Sequence, residues 1–73
     1  MYAQQIIKAT NCAPSDAPRI EEIMRSHIFG RTFNDVPLRT FNAGARKAKE
    51  FMEYERSPEG IAYMAQIEHE LNH

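Results

Sequence analysis

The sequence lacks most of the covalent aids on which very small proteins rely. Its 73 residues include a single cysteine, Cys12, so no disulfide can form within the chain. A core of this size supplies only about 3–5 kcal/mol unless disulfides, a metal or self-association add to it. Self-association therefore remains as a route to stability, and we expect a homodimer. The lone thiol and the absence of a signal-peptide pattern predict a reducing, cytoplasmic setting.

Long apolar runs and chemistry-bearing loops are also missing. No stretch approaches the roughly 18 apolar residues that a membrane helix needs, so we expect a small soluble protein without a membrane partner. The sequence contains no glycine-rich phosphate loop and no convincing set of metal ligands. We therefore predict no cofactor and no enzymatic activity. The composition, 42% hydrophobic and 26% charged, is that of an ordinary globular chain.

Charge is divided unevenly along the chain, although the net charge is only −1. Residues 19–49 contain seven Lys and Arg side chains against three carboxylates, whereas residues 50–73 contain six glutamates against one arginine. Such an uneven distribution of charge can orient a binding partner or pair one protomer with another. The alternative is a set of solvated helix faces with local ion pairs, each of which contributes little.

A proline stands near the start of each of three predicted helices, where its missing N–H would be unpaired anyway. Polar residues before each proline, in the segments 15–16, 34–35 and at Ser57, can cap exposed N–H groups. Gly30 can adopt the left-handed conformation that ends a helix. The prolines are Pro18, Pro37 and Pro58, and the predicted helices span roughly 17–29, 36–55 and 58–71.

Apolar residues recur at helical spacing in all three segments, which predicts one buried stripe on each helix. Small residues in the second segment, Gly44 among them, would let a neighbouring helix approach closely. The tight break before Ser57 predicts that the second and third helices pack as an antiparallel hairpin. The three stripes are Ile20, Ile23, Met24 and His27; Leu38, Phe41, Ala45, Ala48 and Met52; and Ile61, Met64, Ile67 and Leu71.

The N-terminal segment is ambiguous, because Ile6 and Ile7 are adjacent and fit neither a clean helical face nor an alternating strand. Within the N-terminal arm, residues 1–14, we expect residues 2–9 to form a short helix or an extended arm that lies across the three-helix core or across a second protomer, and residues 11–14 to form a loop. The predicted fold is therefore all-α: one domain, a small three-helix bundle with this helix or arm, and no sheet beyond a short extended segment.

A group of cations on the outer side of the 36–55 helix is the candidate partner-binding surface. A basic helix face can contact phosphates or a DNA groove. However, Glu50 and Glu53 continue this face, and the 30–37 connection is longer than the turn of a helix-turn-helix. Phe33 is expected to close the end of the bundle or, alternatively, to form an exposed anchor. The partner-binding candidates are Arg31, Phe33, Arg39, Arg46 and Lys47.

The last five residues, His69 to His73, match the zinc-protease pattern H-E-x-x-H. Histidines four residues apart can share a Zn²⁺, and the glutamate can activate the metal-bound water. The pattern lies at a chain end with no third ligand after it, and both histidines fall opposite the apolar stripe. We therefore predict no metal site, with His69 and His73 as weak candidates.

Two further side chains, His27 and Cys12, are reactive types, but the sequence does not show which groups lie beside them. His27 is expected to be a packed histidine, or alternatively a pH-sensitive contact near a helix C-terminus. Cys12 lacks an identifiable base or electropositive setting, so a structural thiol is expected.

These observations favour a small non-enzymatic interaction or regulatory protein that binds a macromolecular partner or itself. A nucleic-acid-binding regulator that uses the basic face of the 36–55 helix is the alternative. A metal-dependent hydrolase that uses the C-terminal motif is a remote third hypothesis.

Overall fold

The computed structural model describes residues 2–71, and every regular element in this range is helical, which confirms the all-α fold. A 3₁₀ turn, Pro14–Asp16, precedes α2, and a π-helical segment, Met24–Ile28, continues it. A second 3₁₀ segment, Gly30–Asp35, leads to α3. The α-helices are α1, Ala3–Thr10; α2, Ala17–Ile23; α3, Leu38–Arg56; and α4, Pro58–Leu71.

The ambiguous N-terminal segment is a helix, not an extended arm. Ile6 is fully buried and Ile7 is half-buried, so the adjacent isoleucines lie at the centre and the edge of one buried face. α1 ends where Asn11 adopts a left-handed conformation, φ 56°, and donates its N–H to the carbonyl of Ile7 at 2.7 Å. Asparagine tolerates this conformation better than most residues, which accounts for the end of the helix here.

The second segment begins as predicted and ends in a less regular way. Pro18 lies in the first turn of α2, and Gly30 has the expected positive φ of 56°. The predicted capping by Asp16 is wrong, because its carboxylate accepts a hydrogen bond from Nη1 of Arg56 at 3.0 Å instead. After Ile23 the helix widens into the π-helical segment before Gly30 turns the chain.

The long helix α3 forms one wall of the core. It begins at Leu38 rather than at residue 36, because Pro37 is extended, with φ −62° and ψ 156°. Gly44 is buried, and a Cβ at this position would collide with the ring of Phe29. The absence of a side chain at Gly44 thus lets the ring of Phe29 pack against α3. The residues of α3 that are buried are Phe41, Gly44, Ala45, Ala48 and Met52.

The core lies where α1, α2 and α3 pack against one another. The aliphatic centre consists of Ile6, Ile20, Ile23 and Met24, all of which are almost fully buried. The three-helix core therefore contains the N-terminal helix in the place that we expected the last helix to occupy. Its other buried apolar members are Cys12, Ala17, Phe33, Phe41, Ala45, Ala48 and Met52.

The last helix, α4, starts at a tight turn that its sequence predicts. Ser57 caps it, because the N–H of Gly60 donates to Ser57 Oγ at 3.0 Å, and Pro58 occupies the first helical position. Gly60 is needed at this turn, since a Cβ there would overlap the carbonyl of Tyr54. Backbone atoms cannot be displaced as a flexible side chain can, so the turn requires glycine.

The predicted burial of the α4 stripe in the bundle is wrong. Ile61 is 59% exposed, Met64 45% and Leu71 80%; Ile67 is half-buried, and only Gly60 on α4 is buried. The physical reason is that α1 already covers the faces of α2 and α3 that α4 was expected to cover. The molecule is consequently elongated, 42 × 26 × 17 Å.

Candidate interaction surface

The predicted basic surface on α3 consists of exposed side chains with two kinds of electrostatic environment. Arg39 and Arg46 lie two turns apart, and no carboxylate within residues 2–71 is closer than 4.0 Å to either guanidinium. Lys47, by contrast, pairs with Glu50 at 3.6 Å. Arg31 is exposed on the segment before α3 and has no such pair in the described range either. Positive charge without an internal partner is thus concentrated on the arginines.

Phe33 does not belong to this surface, and its interpretation as an exposed anchor is wrong. Its ring is 2% exposed and meets Tyr2 edge-on, with the ring centroids 5.1 Å apart. Phe41 lies against it at 5.8 Å, and the guanidinium carbon of Arg25 stands 4.2 Å above it. Edge-to-face and cation–π contacts of this kind favour burial of an aromatic ring. Phe33 closes the end of the bundle, as the favoured interpretation predicted.

Cys12 and His27, the two reactive side chains outside the basic surface, differ in their surroundings. Cys12 is buried in the core, and its backbone N–H donates to Thr10 Oγ1 at 3.3 Å. The expectation of a structural thiol agrees with this burial. His27 is exposed, not packed as expected, and its ring lies 5.5 Å from that of Phe51. A π-helical segment starts at Met24, and this change of helical period turns residue 27 off the buried face.

The C-terminal histidine motif is only partly described. His69 is exposed on α4, and His73 lies outside the described residues. Within residues 2–71, no three His, Cys, Asp or Glu side chains are grouped closely enough to hold a metal ion. Over the same range, no helix is long and apolar enough to cross a membrane.

A group of exposed apolar side chains lies on the side of α4 that the sequence pattern assigned to the core. Ile61, Met64 and Leu71 project from α4, and Phe51 and Tyr54 are also exposed near the end of α3. Several large apolar side chains exposed on one helix are a feature of interaction sites. One signal in the sequence indicated this exposure. Glu68 follows Ile61 by seven residues and Met64 by four, so a charged side chain lies on the same side of α4 as the apolar stripe.

A shallow groove between α1 and α3 is the second surface that the sequence did not reveal. Its volume is about 300 Å³, and it is open to solvent. Leu38 is 62% exposed at its edge, which is unusual for a leucine beside a packed core. Its lining residues are Gln5, Lys8, Ala9, Leu38 and Asn42. The groove therefore offers an apolar patch beside a cation.

Internal ion pairs neutralise part of the charge polarity seen in the sequence. Arg19 pairs with Glu55 at 2.7 Å, and Arg56 pairs with Asp16 at 3.0 Å, so α2 and its preceding turn are tied to the end of α3. Four Lys and Arg side chains and four carboxylates have no such pair within residues 2–71. The cations are Lys8, Arg31, Arg39 and Arg46, and the carboxylates are Asp35, Glu59, Glu68 and Glu70. The unpaired negative charge is mostly on α4.

The fold and its surfaces define a small all-α chain with one apolar, acidic helix outside its core. Comparison with known proteins adds no relative: no protein-family model, no curated protein and no solved structure matches this chain.

Proposed function

We propose that this protein is a non-enzymatic helical interaction module that binds a macromolecular partner or itself through the exposed face of α4. The observation that carries the proposal is the exposure of Ile61, Met64 and Leu71 on a helix that contributes almost nothing to the core. Burying a large apolar side chain of this kind is worth about 1.5–3 kcal/mol. A helix that presents several such side chains is suited to a partner's groove.

The surroundings of the reactive side chains support binding over catalysis. Cys12 is buried among core residues, and His27 lies against an aromatic ring rather than beside a nucleophile or a carboxylate. The α1–α3 groove is open and is lined by amides, one lysine and apolar side chains. A groove of this composition can hold a side chain of a partner, whereas general acid–base catalysis needs a titratable side chain with a pKa near the working pH, placed within hydrogen-bond reach of the reacting group.

The homodimeric state and the cytoplasmic location belong to the same proposal. A three-helix core of this size supplies little stability by itself, so self-association would add to it. A single free thiol is typical of proteins from reducing compartments.

The test compares two matched pairs of substitutions on α4. Ile61→Glu with Met64→Glu alters the exposed apolar face, whereas Ala62→Glu with Gln66→Glu adds the same charge to exposed positions on the other side. Tagged wild-type protein and both variants are used to capture partners from the native host, and the captured proteins are quantified by mass spectrometry. We expect the Ile61/Met64 variant to lose captured proteins that the wild type and the Ala62/Gln66 control retain. Equal capture by all three would contradict the proposal.

The nucleic-acid alternative has one supporting observation: the guanidinium groups of Arg39 and Arg46 have no ion-pair partner among residues 2–71. Glu50 and Glu53 lie further along the helix and pair with Lys47 and Lys49, which reduces the positive charge there. A salt titration of binding to random duplex DNA distinguishes this alternative. Binding to phosphates falls steeply as salt rises, and no binding at low salt would remove the alternative.

A further inference from the structure

The exposed stripe on α4 contains one charged side chain, which defines the chemistry of whatever covers it. Ile61, Met64, Glu68 and Leu71 follow one another at spacings of three and four residues, so they lie on one side of the helix. All four are exposed. A covering surface must be apolar and must also place a cation near Glu68, because burial of an unpaired carboxylate is costly.

A second α4 does not meet this requirement. Residues 57–71 contain three glutamates, Glu59, Glu68 and Glu70, and no Lys or Arg. Glu68 is the glutamate on the stripe, since Glu59 and Glu70 lie on the other side of the helix. Two copies of α4 packed stripe against stripe would bury Glu68 of each copy without a Lys or Arg from the other, and unpaired buried carboxylates oppose association. The complement to α4 must therefore be a different, basic surface.

The groove between α1 and α3 of the same protein has this complementary character. Leu38 and Ala9 supply apolar surface, and Lys8 lines the groove. On α3, Arg39 directly follows the lining residue Leu38, and Arg46 lies one helical turn after the lining residue Asn42. Both arginines are exposed, and neither has a carboxylate partner within residues 2–71. The groove volume of about 300 Å³ holds one or two large side chains rather than a helix.

We propose that a second copy of this chain covers the stripe, with α4 of each copy lying across the α1–α3 groove of the other. Glu68 then faces the basic side chains at the groove, and an apolar side chain of the stripe enters beside Leu38. The exchange is reciprocal, so the assembly closes as a two-fold dimer. This inference rests on the proposed function, because it names the partner of the same α4 surface.

The surface area of a single copy is consistent with such an exchange. One chain exposes 5516 Å², whereas a compact monomer of 8.4 kDa would expose about 4,600 Å². The radius of gyration, 13.7 Å, likewise exceeds the roughly 11 Å of a compact chain of this length. Both excesses reflect the elongated shape of the molecule, in which α4 lies outside the core.

The experiment exchanges the charges of the two surfaces and measures mass by light scattering over a range of concentrations. One variant has an acidic groove, Arg39→Glu with Arg46→Glu; the other has a basic stripe on α4, Glu68→Lys. We expect the wild type to reach twice 8.4 kDa. Each variant alone should self-associate at least about tenfold more weakly at low salt, because like charges then face each other. Mixing the two variants should restore a dimer, since both contacts are then complementary.

Lys47→Glu with Arg31→Glu is the matched control for charge, because neither residue lines the groove, and we expect it to dimerise like the wild type. Circular dichroism confirms that each variant is folded. A wild type that stays at 8.4 kDa at every concentration would overturn the inference, as would a mixture that fails to pair or a mass that grows beyond the dimer. If the wild type is monomeric but the Ile61/Met64 variant still loses a captured protein, only the second copy is excluded and the proposed function stands.

Discussion

Arg19 on α2 holds both carboxylate oxygens of Glu55 near the end of α3, with Nη2 2.7 Å from each. The residues are 36 positions apart, so the contact ties two helices together. The hydrogen bond with Glu55 is the main reason that the pKa of Arg19 is raised above its ordinary value. Glu22 adds a second ion pair at 3.0 Å on the same helix.

We expect Arg19→Met and Glu55→Gln each to lower the free energy of unfolding, with a coupling between them of about 1 kcal/mol in a double-mutant cycle. The estimate is modest because both side chains remain partly exposed. Arg19 has a raised pKa, so its contribution is fully present below its unfolded pKa and is lost only in strongly alkaline solution. Its charge therefore adds no pH dependence near neutrality. Urea unfolding of the four proteins measures the coupling; a value near zero would mean that the pair does not link the helices.

The contrast between α4 and the core predicts different effects of substitutions at two isoleucines. Ile20→Ala should lower the free energy of unfolding by about 2–5 kcal/mol, because it leaves a cavity in a fully buried site. Ile61→Ala should change it by less than about 0.5 kcal/mol in dilute solution, because the side chain is already mostly exposed. Urea unfolding at low protein concentration keeps self-association from contributing. Similar losses for both variants would show that α4 is packed into the bundle.

The cap at Ser57 predicts a local effect. Ser57→Ala removes the acceptor of the Gly60 N–H, and losses of this kind cost about 1 kcal/mol. Since α4 lies largely outside the core, the cost should appear as faster amide hydrogen exchange in α4 with little change in α2. Ser15→Ala is the control, because Ser15 is exposed and forms no cap on the following turn. Unchanged exchange in α4 would contradict the capping role.

Burial of Cys12 predicts that its thiol reacts slowly in the folded protein. A thiol-specific reagent should label it slowly in native protein and rapidly in denaturant, because reaction requires the core to open. The labelling rate under native conditions should increase in Ile20→Ala, which destabilises the same core cluster. Rapid labelling of the native wild type would show that this part of the core is open to solvent.

Local signals in the sequence predicted local structure where no distant group competed for the same atoms. Pro18, Pro58, Ser57 and Gly30 act as their neighbours in the chain indicate, since each effect involves atoms only a few residues away. Capping by Asp16 failed for the opposite reason. Arg56, 40 positions along the chain, takes the carboxylate, and no local pattern contains that contact.

Only part of the candidate surface could be predicted from the sequence. Exposure of Arg39 and Arg46 followed from their positions opposite the apolar stripe of α3. The groove beside them was not predicted, because it exists only where α1 packs on α3.

By itself the sequence determined the helices after residue 14, their boundaries to within a few residues, and the apolar side of each, because these depend on dihedral preferences and on a 3.6-residue repeat. Only the tertiary structure decided which apolar sides meet. An amphipathic pattern defines a side that needs cover but not what covers it. α1 and α4 both offered an apolar side to α2 and α3, and α1 occupies that place. Ile61, Met64 and Leu71 on α4 therefore remain available to a partner.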